Sequence, residues 1–131
     1  MIPFLRPLFR RFALWQGRRQ LPPSLAAGDV CSVRSGDGTT YSIAKVLARD
    51  PGIIHVRVYK EKFKWRPDRA DTTHLSLGTI HDSDGFGVGH LPLLEGEFGL
   101  WEPIIIRREE VSVEELDGYD IWKESRGGVW Q

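Results

Sequence analysis

Residues 28–59, GDVCSVRSGDGTTYSIAKVLARDPGIIHVRVY, decide the fold. Three runs rich in β-branched residues lie between two turn signals, Asp37-Gly38 and Asp50-Pro51-Gly52. Val30 to Val33 give one strand, Tyr41 to Leu47 a second and Ile53 to Tyr59 a third. An Asp-Gly pair between apolar runs predicts a hairpin closed by a type I′ turn, whose two central residues need positive φ. In the third run Ile54, Val56 and Val58 alternate with His55, Arg57 and Tyr59. That period of two predicts an antiparallel sheet with one apolar face and one wet face.

Beyond this stretch, 131 residues suit a single core. The division expected is a basic amphipathic N-terminal extension, residues 1–22, followed by one β-rich domain, residues 23–131. With 40% apolar and 27% charged residues the chain has the composition of a soluble globular domain. Cys31 is the only cysteine, which excludes an intrachain disulfide. It alternates within a strand, so a buried inert thiol is expected. No apolar run approaches the roughly 18 residues of a spanning helix. A cytoplasmic location is expected, with a peripheral membrane contact as an alternative.

Net charge is zero but unevenly spread. Residues 1–22 hold five Arg and no acid; residues 23–70 hold nine Lys/Arg against five Asp/Glu; residues 71–131 hold four against thirteen. The ends of the chain either neutralise each other or face different partners.

Residues 4–16, FLRPLFRRFALWQ, place Phe4, Leu5, Leu8, Phe9, Phe12 and Trp15 on one helical arc, with Arg6, Arg10 and Arg11 opposite. Three readings stay open: docking on the domain or a partner subunit, attachment to an anionic membrane surface, and targeting. Gln20 to Ala27 reads as a linker stiffened by Pro22-Pro23.

Residues 57–69 carry Arg57, Lys60, Lys62, Lys64 and Arg66 interleaved with Phe63 and Trp65. Cations meet phosphates and aromatics stack on bases, so this stretch is the candidate nucleic-acid surface. Its competing reading is a strand end with core aromatics and solvated lysines. Residues 74–80, HLSLGTI, predict a fourth strand with Leu75 and Leu77 inward. Residues 81–90, HDSDGFGVGH, follow. His81, Asp82, Asp84 and His90 are the densest set of potential metal ligands in the chain. A calcium loop needs more oxygen ligands and a late Glu, and only Asp82-x-Asp84-Gly85 matches. The set therefore reads first as a glycine-rich turn, with no metal or other cofactor expected, and a small metal-dependent enzyme stands third among the functional readings. His55 and His74 read as ordinary polar-face residues.

Later, Trp101, Ile104 and Ile106 are expected to line one face of a strand. Ser112-Val113-Glu114-Glu115 is a capping box, predicting a helix from Val113 to about Lys123. Its Leu116, Tyr119 and Trp122 recur every three residues and should face the sheet. No G-x-S-x-G elbow, P-loop, dinucleotide fingerprint or C-x-x-C occurs.

The stretch GDVCSVRSGDGTTYSIAKVLARD, residues 28–50, resembles the opening of small SH3-like or Tudor-like barrels. It is similar, more loosely, to bacterial immunity proteins of that type. Taken over residues 28–59, the resemblance covers about a quarter of the chain and implies a binding module. In Tudor-like barrels several aromatics cage a methylated cation, and Tyr41, Tyr59, Phe63 and Trp65 are the candidates in the matching part. The fold expected is mainly β: a bent antiparallel sheet or partly open barrel of five to six strands, one C-terminal helix, and a separate N-terminal helix. The function expected is a non-enzymatic protein-binding domain, with Glu109, Glu110, Glu114 and Glu115 meeting a basic protein partner. Nucleic-acid binding is the alternative.

Overall fold

A computed structural model of the chain describes residues 21 and 24–129. The amphipathic arc of residues 4–16 lies outside them. Five strands form one antiparallel sheet: β1 (Asp29–Arg34), β2 (Tyr41–Asp50), β3 (Ile53–Val58), β4 (Val88–Leu94) and β5 (Ile104–Arg108). The order is β4-β3-β2-β1-β5, a four-strand meander whose fifth strand returns to the first. The sheet does not close, because β4 and β5 are both edges. Pro92 sits in the edge strand β4, where its missing amide costs no ladder bond on the open side. Two short helices follow, α1 (Glu95–Gly99) and α2 (Asp117–Ser125). No described helix is long and apolar enough to cross a membrane.

Both turn signals close hairpins, but by different chemistry. Pro51-Gly52 joins β2 to β3 with Gly52 at φ 77°, the positive angle that a type II turn requires at its third position. The Asp37-Gly38 hairpin is not type I′: only Gly38 has positive φ, and Ser35 pairs with Thr40 across a longer loop. Asp37 instead accepts the amides of Thr39 and Thr40, which holds its carboxyl down at about 2.

Alternate residues of the three central strands build two faces. Cys31, Val33, Ala44, Val46, Ile54 and Val56 point to one side and pack with Leu25, Leu93 and Phe98. Val30, Ile43 and Tyr59 point to the other, where Phe63, Ala70, Leu75, Leu77 and Ile106 cover them. The second face is therefore not wet. Residues 59–87 lie over it without forming a strand: one bridge joins Tyr41 and Phe63, and a 3-10 turn spans Thr72–His74. The strand expected over residues 74–80 is absent, although Leu75 and Leu77 do point inward. Lys60, paired to Ser76 by its amide, and Glu61, which accepts the Ser76 amide, hold that segment down.

Trp101, Ile104 and Ile106 do not share a face, because the turn after α1 separates Trp101 from β5. Trp101 packs on the first cluster, Ile106 on the second, and Ile104 is exposed. β5 ends against the start of β1, where the Glu109 amide donates to the Gly28 carbonyl. A Cβ on Gly28 would lie 2.3 Å from the Glu109 carbonyl oxygen, so this crossing requires glycine. The capping box is formed in both directions: Glu115 N donates to Ser112 Oγ at 3.1 Å, and Ser112 N to Glu115 Oε1 at 2.8 Å. It opens a 3-10 turn, Glu114–Leu116, before α2 begins.

Candidate functional site

On the second face, two polar clusters are enclosed between sheet and covering segments. The first is centred on His55, a fully buried residue of β3. Its Nε2 lies 2.9 Å from Asp50 Oδ2 at the end of β2, and its Nδ1 lies 2.9 Å from His90 Nε2 on β4. From α2, Tyr119 donates to the same Asp50 carboxylate at 3.2 Å. Tyr119 and Trp122 each present an edge to the His55 ring at 4.5 Å. Gly118 lets the helix approach this closely: a Cβ there would lie 2.6 Å from His90 Cβ.

The protons in this chain are set by chemistry. A carboxylate only accepts, so His55 Nε2 donates to Asp50. A neutral His55 then accepts at Nδ1, and His90 Nε2 must donate to it. His90 Nδ1 is left unprotonated. Burial pushes both imidazoles below their ordinary range. For His55 the Asp50 carboxylate partly opposes that effect. For His90 the neighbouring His55 adds to it, bringing His90 down to about 4. Such a group is a weak base at neutral pH. Among the described residues no serine or cysteine hydrogen-bonds to either ring. Cys31 is on the opposite face, and burial pushes its thiol up to about 12. The arrangement clamps α2 to the sheet and holds two neutral imidazoles.

The second cluster is centred on Lys45 of β2, whose side chain is 3% exposed. Its Nζ donates to the Glu110 carbonyl at 2.6 Å and to Glu115 Oε1 at 3.1 Å, with Glu109 Oε1 at 3.5 Å. Glu109 also accepts the Thr72 hydroxyl and pairs with Arg107 at 3.1 Å. Burial acts to raise the Glu115 pKa, but the Ser112 amide and Lys45 outweigh it and hold the carboxyl below its usual range.

The four glutamates expected to meet a partner thus divide. Glu109 and Glu115 are 15% and 14% exposed and face inward, whereas Glu110 and Glu114 are exposed. The basic stretch divides too. Arg57 bonds the Gly89 carbonyl, Lys60 pairs with Asp82 and Asp84, and Arg66 bonds Ser32 and the Glu102 carbonyl. Phe63 is in the second cluster of the core, while Lys62, Lys64 and Trp65 are exposed. Tyr59 is buried and Trp65 is 78% exposed, so the four aromatics do not share one cage. His81, Asp82, Asp84 and His90 are not brought together: His90 faces His55, and the two aspartates face Lys60. Among the described residues no three His, Cys, Asp or Glu side chains are grouped to hold a metal ion.

His55 was legible only as a polar-face residue, and Asp50 only as a turn residue. The signal that could have joined them is Tyr119-x-x-Trp122, a polar-tipped aromatic pair aimed at a face that carries a histidine. In comparisons with known proteins, the chain matches no family model, no curated protein and no solved structure.

Proposed function

We propose that the chain is a non-enzymatic protein-binding domain, a small open barrel of the immunity type that meets a basic partner through the outer face of its C-terminal segment. One observation carries this reading. Glu110, Glu114, Asp117, Asp120 and Glu124 are exposed and have no cation partner among the described residues, and the same C-terminal segment exposes Val113 and Ile121, at 77% and 66%. At about 100° per residue, Asp117, Asp120, Ile121 and Glu124 share the arc of α2 opposite Tyr119 and Trp122. Acids in the first turn also suit the helix dipole, but two large exposed apolar groups do nothing for folding. An apolar centre with a charged rim is the usual anatomy of a protein interface. The inward pairing of Glu109 and Glu115 moves the surface outward, to Glu110, Glu114 and the helix acids.

The test is capture of partner proteins by the purified chain, set beside oligonucleotide titration. The expected result is a basic protein that is retained at low salt and lost by Glu110→Lys with Glu114→Lys and Asp120→Lys, chiefly through slower association. Single-stranded DNA and RNA should not bind at physiological ionic strength. A partner retained unchanged by the charge-reversed variant would contradict the reading. A nucleic-acid surface is the second reading, favoured by the exposed Trp65 ring beside the exposed Lys62 and Lys64. Salt-sensitive micromolar binding to either oligonucleotide, weakened by Lys62→Glu with Lys64→Glu, would put it first.

A further inference from the structure

A cavity of about 210 Å³ opens where β1 leaves the sheet and β2 enters it, away from both polar clusters and from α2. Val33, Val58, Leu100 and Trp101 supply its apolar wall. Ser35, Ser42, Arg34 and Lys62 supply its polar side. The two serines are buried, at 7% and 2%, and their hydroxyls are 2.6 Å apart. Lys62 reaches in from the rim and donates to Ser42 Oγ at 3.3 Å.

Hydrogen-bond accounting leaves this site short of an acceptor. Two hydroxyls carry two protons, and the bond between them uses one, whichever serine donates. The second proton has no acceptor among the described residues. Lys62 likewise has no carboxylate partner there, whereas Arg34 is held by Glu102 at 2.8 Å. A buried donor gains from a ligand that supplies the missing acceptor. An oxygen acceptor carrying negative charge would satisfy the spare hydroxyl and the ammonium together.

We infer that this cavity binds a terminal carboxylate with a short apolar tail, the carboxylate on Ser35, Ser42 and Lys62 and the tail on Val33, Val58 and Trp101. The volume lies below the roughly 300 Å³ at which sites for drug-sized ligands begin, so the tail is a few carbons or one side chain. A free small acid and the C-terminus of a chain present the same group. Nothing in this inference depends on the acidic face of α2.

The experiment is a titration of the full chain followed by amide and indole NMR shifts. The probes are hexanoate, hexanol, and a hydrophobic tripeptide with either a free or an amidated C-terminus. Hexanoate or the free tripeptide should give saturable shifts confined to the lining residues. Hexanol and the amidated peptide should not. Preference between the two carboxylates assigns the source. Lys62→Met, at an exposed position that leaves the core intact, should weaken carboxylate binding about tenfold. Ser42→Ala, read the same way, should weaken it as well. Equal binding of hexanol and hexanoate, an unchanged Lys62→Met, or no saturable shift with either carboxylate would overturn the assignment.

Discussion

On one face of the sheet, Cys31, Val33, Ala44, Val46, Ile54 and Val56 meet Leu25 and Phe98 in an apolar cluster, with the buried hydroxyls of Ser35 and Ser42 only at its edge beside Val33. On the other, Val30 and Ile43 share their space with buried Ser32, Lys45 and His55. The same strands build both faces from alternate residues. The first is held by area removed from water, which is non-directional and insensitive to pH. The second is held by groups that must each find a partner at a fixed distance: Asp50 for His55, Glu109 and Glu115 for Lys45. Its stability is therefore specific, titratable and easily broken from one side.

The largest expected effect is on the apolar face. Phe98 is fully buried and packs edge-on against Trp101 at 5.4 Å. Phe98→Ala should lower unfolding stability by about 4 kcal/mol in denaturant titration. On the polar face, Lys45→Met keeps most of the stem but removes the buried cation that Glu109 and Glu115 share, leaving them only Arg107 at 3.1 Å and Arg57 at 3.9 Å. It should cost about 3 kcal/mol, the lower end for breaking a buried pair from one side. If Lys45→Met were neutral, the inward carboxylates would not be held by Lys45 and the contrast between the faces would collapse.

Acid should separate the faces without mutation. Buried imidazoles with depressed pKa take up protons more readily in the unfolded chain. Their contribution is therefore whole above about 6.5, the ordinary histidine value, and is lost as pH falls toward the His90 value of about 4. Melting temperature should fall between pH 7 and pH 5, before most carboxylates titrate. His55→Asn with His90→Asn should flatten that slope, even if it lowers stability at pH 7. A wild-type curve flat over this range would show that the histidine pair is not held neutral.

The sequence made the first face plain and hid the second. Ile54, Val56 and Val58 announce a buried side by their period, and the two turn signals place the hairpins. His55, Arg57 and Tyr59 carry the opposite signal, because polar residues at period two ordinarily face water. What covers them includes Ala70, Leu75 and Leu77 over Tyr59 and the Tyr119 and Trp122 rings of α2 over His55, contacts made across ten residues of chain or more. No local pattern records such a contact. Residues 74–80 misled for the same reason: Leu75 and Leu77 are inward, yet the segment is tied by Ser76 to Lys60 and Glu61 and joins no ladder. The helix was readable because both its signals are local, the capping box at Ser112 and Glu115 and the spacing of Tyr119 and Trp122. The four glutamates could not be sorted from sequence, since only the position of Lys45 decides which of them turn inward.

The central claim is that the C-terminal acids fall into an inner pair that holds the domain and an outer set left for a partner. Thermal melting of two charge-reversed proteins tests it most directly. Glu109→Lys with Glu115→Lys should lower the melting temperature severely or prevent folding, because two new cations would face Lys45 and the Ser112 cap would be lost. Glu110→Lys with Glu114→Lys should leave it nearly unchanged, within the about 0.5 kcal/mol typical of exposed substitutions. Equal melting of the two proteins, or the reverse order, would contradict the division.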